Sequence, residues 1–411
     1  HDIGPAGEIN IAPPPTILEH RVLEASTKEG EYRALVNLRT LNLLRWYNSE
    51  PAPNICWENL PDEPVPAIHP DDVPIAKQMS NALARERTNG VLRFRTLDGT
   101  ASQASRAGPT KELLHAALEL RNPRERWISS RSPAINLAFA LAEVVWIIRG
   151  RNDSVFLNYF NSRLPEFAGS GATYHGAYGH RLKHVAGFDQ LDAAFKALKA
   201  VPDSRQVVLQ IWNGETDFPR NDGKPVAPDI PCNVIAMLKV RDGALEWTQI
   251  MRSNDLFRGF VHNVIQFTFL HEIMAGWLGL KLGSYHHFSD SLHIYDEDVL
   301  EMDGQSLGHA PGNSDIYNFS KEDSDTYFAA IEQLVEVIIS AGSSARCLQA
   351  SLGDIDVPES FLNIGRILVC EGLRRRGEIS AMARILNECS NPAYSYLYNR
   401  WLTRMNCPHA G

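Results

Sequence analysis

Residues 229–263 read DIPCNVIAMLKVRDGALEWTQIMRSNDLFRGFVHN, and the fold of the chain turns on this stretch. Two apolar runs alternate with polar positions, the pattern of two half-buried strands joined as a hairpin. A cysteine, Cys232, stands behind Pro231 at the first strand's start, and Arg252-Ser253-Asn254-Asp255 and Gly259-x-x-x-Asn263 follow the second. A hairpin built this way brings a thiol, a cation, a carboxylate and an amide to one neighbourhood. That is more chemistry than a hairpin needs in order to fold.

Outward from the hairpin, the 411-residue chain is long enough to bury a large core. Its 44% hydrophobic and 22% charged content is that of an ordinary globular protein. A net charge of -9 argues against a general nucleic-acid coat or an anionic-membrane binder, but not against a local arginine cluster for one small anion. The six cysteines, Cys56, Cys232, Cys347, Cys370, Cys389 and Cys407, form no CxxC pair. Scattered thiols fit a reducing cytoplasm better than a disulfide framework or a zinc knuckle. No apolar run reaches membrane length.

In chain order, residues 1–15 are rich in Pro and Gly, and 29–47 place leucines at helical spacing before a proline-broken connector. Residues 1–74 read as an N-terminal extension, 75–304 as the core and 305–411 as a helical C-terminal extension. Within the core, 75–86 predicts an amphipathic helix, 87–90 a turn and 91–96 a strand. Residues 132–149 (SPAINLAFALAEVVWIIR) are apolar nearly all round and predict a core helix, which leaves Glu143 little polar face. A helix is expected from Asn152 to Phe160 and another over 190–200, with a glycine-punctuated loop at 174–181 between them. A strand is expected over 207–212, and a second apolar helix from Val264 to Leu278, ended by Gly279 with 280–283 as turn. Helices are also expected over 322–339 and, two or three of them, over 358–404.

The chemistry gathers around the hairpin. A thiol aimed from a strand end is a carbon nucleophile, and a neighbouring arginine favours its thiolate; the alternative is a small buried hydrophobe. Arg87, Arg205 and Arg252 each border a predicted strand, and converging guanidiniums suit a phosphate, although each alone reads as a surface ion pair. Asn263 offers both a donor and acceptors, as the O4/N3–H edge of a uracil requires, where a carboxylic acid would suit cytosine. His293 and Tyr295 stand two apart on a predicted strand and so share a face. The histidines of 284–295 match no metal-site spacing.

The motifs, in order, resemble the thymidylate synthase family, which includes the pyrimidine-nucleotide hydroxymethylases. Arg87-Thr-Asn-Gly resembles its R-T-G-T turn, and Glu143-Val-Val-Trp-Ile-Ile-Arg-Gly its E-L-L-W-F-L-x-G helix. Tyr178-Gly179 resembles V-Y-G, Asp203-Ser-Arg-Gln resembles D-S-R-R, and Pro231-Cys232-Asn233 resembles P-C-H. Arg252 to Asn263 resembles R-S-C-D-x-x-L-G-x-P-x-N, and Asp290 to Tyr295 resembles G-D-x-H-I-Y with one residue inserted. The resemblance spans roughly residues 76–300. It implies an α/β (α+β) fold with a large mixed sheet flanked by helices. It also implies one-carbon transfer from 5,10-methylenetetrahydrofolate, as co-substrate, to C5 of a pyrimidine nucleotide. Cys232, Glu143, Tyr178 and Asn233 would be catalytic. Arg87, Arg205, Arg252, Ser253, Asn263, His293 and Tyr295 would hold the nucleotide, and Asp255 and Gly259 the folate. Arg205 would come from the other subunit of a homodimer.

The departures bear on the product. Gln206 replaces an arginine, for which Arg258 is a candidate substitute, and Asn233 replaces a histidine. The loop 161–167 lacks tryptophan, and no apolar closing tail follows the core. Without those groups water can attack where a synthase delivers hydride. The expected reaction is therefore dUMP hydroxymethylation, with thymidylate synthesis, a dCMP or CMP hydroxymethylase and a nucleotide-binding regulatory homologue as alternatives.

Overall fold

Asp242 and Gly243 both adopt positive φ, 51° and 73°, as a type I′ two-residue turn demands, so the central hairpin closes as tightly as a hairpin can. The computed structural model describes residues 20–27, 30–37, 43–46, 101–105, 108–129, 131–303 and 311–407. The chain divides into two units, His1–Arg95 and Thr96–Gly411. The expectations for 75–96, Arg87 included, lie outside the described residues.

In the first unit, β1 (His20–Thr27), β2 (Gly30–Asn37) and β3 (Leu43–Trp46) form an antiparallel sheet. The helical leucine spacing of 29–47 misleads. Tyr32, Ala34 and Val36 alternate with Glu31, Arg33 and Leu35, a period of two, and pairing along the whole of β1 satisfies it.

The second unit is built on a mixed sheet. Its strands are β4 (Ala101–Ser105), β5 (Gly108–Leu120), β6 (Val208–Gln210), β7 (Asn233–Arg241), β8 (Ala244–Met251), β9 (Asn254–Asp255) and β10 (Lys281–Tyr295), ordered β4-β5-β10-β8-β7-β6 with β9 also on β10. β10 runs antiparallel to β5 and parallel to β8 and β9. Residues 280–283 are not a turn. Gly279 alone reverses the chain (φ 67°), and Lys281 already pairs with Ala244. The strand is irregular between Leu282 and Tyr285, where a Cβ on Gly283 would lie 2.5 Å from the Leu245 carbonyl oxygen.

The helices are α1 (Leu137–Ile148), α2 (Ser154–Phe160), α3 (Gln190–Ala200), α4 (Phe260–Leu278), α5 (Asp296–Asp303), α6 (Lys321–Ile339), α7 (Ala345–Gly353), α8 (Glu359–Arg375), α9 (Ile379–Asn387) and α10 (Pro392–Arg404). α1 starts five residues later than the apolar run because Asn136 caps it, its side chain accepting from the Phe139 N–H. α4 starts at Phe260, ahead of the expected Val264, and crosses over between the parallel strands β8 and β10. One face of β7, β8 and β10 (Ala236, Leu238, Leu245, Trp247, Tyr285) is fully buried, and α4 packs on β8 and β10. The other face is half-covered, with Val208 48% and Leu114 52% exposed. The loop at 174–181 contains a helical turn, Tyr178–His180, followed by a π-turn. Gly179 sits against α1 so closely that a Cβ would fall 2.1 Å from the Ile147 carbonyl oxygen, a place only glycine fills.

A buried charge cluster, not apparent in the sequence, fastens this frame. Glu272 of α4 pairs with Arg126 and Arg124 and accepts the Tyr317 N–H at 3.2 Å. It thereby ties three segments far apart in sequence. Arg126 also lies over the Phe269 ring, 4.1 Å from its centroid. Burial pushes the Glu272 carboxyl up, but Arg126 and Arg124 outweigh it, and the group titrates below the usual carboxylate range. A depressed carboxylate contributes stability above the unfolded value of about 4.3 and loses it as pH falls through the lower folded value. Arg126→Leu leaves a buried charge half-partnered, and is expected to cost about 3–5 kcal/mol in urea unfolding at neutral pH. The loss should shrink as the pH falls below the carboxylate range.

Candidate active site

The open end of the hairpin sets two groups side by side. Cys232 directly precedes β7 and Arg252 directly follows β8, and the Arg252 N–H donates to the Cys232 carbonyl at 2.9 Å. The Arg252 guanidinium donates to the Pro231 and Ile230 carbonyls at 3.0 and 3.2 Å, which leaves Nη2 3.9 Å from the Cys232 Sγ. Two carbonyls thus aim an exposed cation at a half-buried thiol. Ser253 follows, half-buried.

Beneath this pair runs a chain of buried amides. Trp247 Nε1 donates to Gln249 Oε1 (3.0 Å), and Gln249 Nε2 donates to Asn233 Oδ1 (2.9 Å). Asn233 Nδ2 reaches Asn263 Oδ1 at 3.4 Å, and Asn263 Nδ2 donates to Asn254 Oδ1 (3.2 Å) and the Gly259 carbonyl (3.0 Å). Asn254 Nδ2 lies 3.2 Å from His287 Nε2, whose ring also meets Ser289 and Tyr285. Burial pushes His287 down to about 3, so the ring stays neutral and can accept. Gly259 belongs to this frame, since a Cβ there would stand 3.3 Å from Asn254 Oδ1. The sequence reading missed Gln249, Asn254 and His287. The signal for them was polar side chains at the inward positions of apolar strands.

Tyr178 approaches from the loop under α1. The residue is half-buried, yet its hydroxyl lies in the enclosed part of the site. Burial first, then the nearby Cys232 and Asp229, push that hydroxyl well above its usual range against a hydrogen bond with Asn233; Glu143 adds to the rise. It is therefore a proton-bearing donor among Cys232, Asn233 and Glu143. The loop is held by Asp229, which accepts the Gly176 N–H at 2.7 Å. Beneath it Asp217 receives both Arg181 terminal nitrogens (2.7 and 2.8 Å) and His175 Nε2 (2.7 Å). Glu143 faces His262 across the α1–α4 contact, Oε2 to Nδ1 at 3.5 Å.

On the other flank, Asp255 pairs with His293 through β9 and β10. Its Oδ1 accepts the Phe257 and Arg258 N–H groups at 2.8 and 2.9 Å. Burial nonetheless raises this carboxyl above the usual range. His293 and Tyr295 share a face as expected, with ring centroids 5.7 Å apart. Arg258 does not stand free to replace the arginine missing at Gln206. It pairs with Asp298 (2.7 Å) and Glu297 of α5 and covers the Tyr295 ring at 4.7 Å. Arg205 is not among the groups near Cys232. With Val208 opposite Met237 and Gln210 opposite Ile235, β6 carries Arg205 toward the Asp242-Gly243 turn, the end of the hairpin remote from the thiol. No cluster of three or more His, Cys, Asp or Glu side chains able to hold a metal occurs among the described residues, and none of their helices is long and apolar enough to cross a membrane.

Comparison with known proteins matches residues 124–332 to the Thymidylate synthase family model and residues 16–118 to the family model "Rv3651-like, C-terminal domain". The chain is 29% identical over 344 residues to the deoxyuridylate hydroxymethyltransferase of Bacillus phage SP01, a match covering 74% of this chain and 89% of that protein. It is 37% identical over 177 residues to the deoxyuridylate hydroxymethyltransferase of Pseudomonas phage M6, covering 43% and 49%. It is 32% identical over 184 residues to a thymidylate synthase of Clostridium beijerinckii, covering 44% and 65%. The match thus spans about half to two thirds of the last two relatives and most of the first.

Gln249→Leu keeps the volume of the inner strand position but strands the Trp247 indole N–H and the Asn233 Oδ1. Each orphaned group is expected to cost about 1–3 kcal/mol, read as a lower urea midpoint with an unchanged slope.

Proposed function

Because the chain belongs to the thymidylate synthase family, we propose that it carries a one-carbon unit from 5,10-methylenetetrahydrofolate to C5 of dUMP and releases 5-hydroxymethyl-dUMP. The observation that carries this reading is the Cys232 thiol with the Arg252 guanidinium 3.9 Å from its sulfur. The choice of product is supported by the SP01 phage hydroxymethyltransferase, whose match spans most of both chains. The absence of tryptophan from 161–167 supports it further.

In this reading Cys232 adds to C6 of the pyrimidine as the thiolate, and C5 becomes the carbon nucleophile. Tyr178, kept protonated by burial, donates near the base while Asn233 orients it. Glu143 moves protons between the base and the departing folate nitrogen. Arg252 and Ser253 take the 5′-phosphate. Asn263 reads the base through Oδ1: both its N–H groups are committed to Asn254 and Gly259, so the oxygen's remaining lone pair accepts from N3–H. His293 and Tyr295 hold the sugar. The folate fits the Asp255 flank: Oδ1 is occupied by two backbone N–H groups, which leaves Oδ2 to accept from the pterin's N–H groups, with Gly259 alongside. The co-substrate supplies the one-carbon unit.

A homodimer belongs to the same reading. The half-covered sheet face, with Val208 and Leu114 about half exposed, is a surface for a second copy. Arg205, remote from its own Cys232, is suited to reach the partner's phosphate site.

Incubated with dUMP and methylenetetrahydrofolate, the protein should yield a nucleotide heavier by CH2O in mass spectrometry, with tetrahydrofolate as co-product. dTMP together with dihydrofolate would sink the hydroxymethylase reading. Cys232→Ala should lower turnover by about a thousandfold or more. Arg252→Ala, which removes charge-assisted hydrogen bonds, should raise the KM for dUMP about tenfold or more.

A further inference from the structure

The reaction just described leaves one pair of polar atoms with nothing to do. Glu143 Oε2 and His262 Nδ1 are both shielded from water, and neither has a hydrogen-bond partner. They point at one another across 3.5 Å, just beyond a good hydrogen bond, so a few tenths of an ångström of closure would make one. The two side chains are 15% and 19% exposed. Glu143 Oε1 and His262 Nε2 are not shielded in this way. The Phe139 ring stands edge-on to His262, centroids 5.2 Å apart, and limits how the imidazole can turn. His262 directly precedes Asn263 and shares the first turns of α4 with it.

We infer that His262 is a further catalytic residue, the base that deprotonates the water whose oxygen becomes the product hydroxyl. This rests on the hydroxymethylase reading above. With Nδ1–H donated to Glu143 Oε2, the imidazole is held in the tautomer whose Nε2 lone pair faces the site. After one-carbon transfer the nucleotide carries an exocyclic methylene at C5 and the Cys232 sulfur at C6. The water oxygen bonds to the methylene carbon, and its proton passes to Nε2. The displaced π pair moves toward O4, then returns to form C5=C6 as the C6–S bond breaks and its electrons leave with Cys232. Nε2 releases the proton to solvent. No oxidant or reductant is needed. The assignment gives Glu143 two duties through two oxygens, Oε1 toward the base and Oε2 toward His262.

The test follows C5-tritiated dUMP with methylenetetrahydrofolate, using the full chain, His262→Ala and His262→Phe. Tritium release reports attack by Cys232 and loss of the C5 proton, while the hydroxymethyl product reports capture by water. Both variants are expected to keep a burst of tritium near one per active site. Product formation should fall about a hundredfold or more, as for loss of a general base. Added thiol should then trap the methylene as a 5-thiomethyl nucleotide, and imidazole should partly restore the product in His262→Ala. A fall of burst and product together without imidazole rescue, in the Phe as well as the Ala variant, would overturn the assignment. So would a product rate within twofold of the unaltered protein. Absence of tritium release from the unaltered protein would instead overturn the functional reading on which the assignment rests.

Discussion

The buried amide chain under the hairpin is the constraint from which the rest of the site takes its geometry. Each link has a partner on either side, from Trp247 through Gln249, Asn233, Asn263 and Asn254 to His287. A side-chain amide is ambivalent, since it donates at one end and accepts at the other. The indole N–H at one terminus only donates, and the Ile235 and Gly259 carbonyls beside the chain only accept; together they remove that ambivalence, and every amide in the chain is oriented. Asn263 therefore presents a fixed polarity before any nucleotide arrives. The hairpin end cannot shift relative to α4 without breaking the chain.

Around that line the sheet and helices divide the labour. The β7–β8 pair sets Cys232 and Arg252 abreast, α1 brings Glu143 and supports the Tyr178 loop through Gly179, and β10 carries His293 and Tyr295. The Glu272 cluster and the Asp217–Arg181–His175 group lie outside the chemistry. They hold, respectively, α4 against the 124–126 and 317 segments and the loop against β6. Such buried charges contribute little net stability but are costly to break, so they fix position more than they deepen the fold.

Much of this was legible in the sequence, and the reasons are physical. Period-two alternation gave β7 and β8, all-round apolarity gave α1 and α4, and ordered motifs gave the family. The local signals failed where tertiary pairing decided the outcome. Residues 29–47 carry leucines at helical spacing, yet 30–37 and 43–46 pair as strands, and 280–283, read as a turn, are recruited by β8. Arg258 looked available as a phosphate ligand because its acidic partners, Glu297 and Asp298, lie about forty residues on. His262 gave no signal at all, because a single histidine in an apolar helix start reads as filler until Glu143 is seen opposite.

The C-terminal helices bear on how the protein can be divided. α8 is fully buried along much of its length, and it packs against α1 as well as against α6, α7, α9 and α10. The family match ends at residue 332, inside α6. The boundary drawn by sequence likeness thus cuts a helix that helps house the one bearing Glu143. The helices beyond residue 332 form part of the wall behind Glu143.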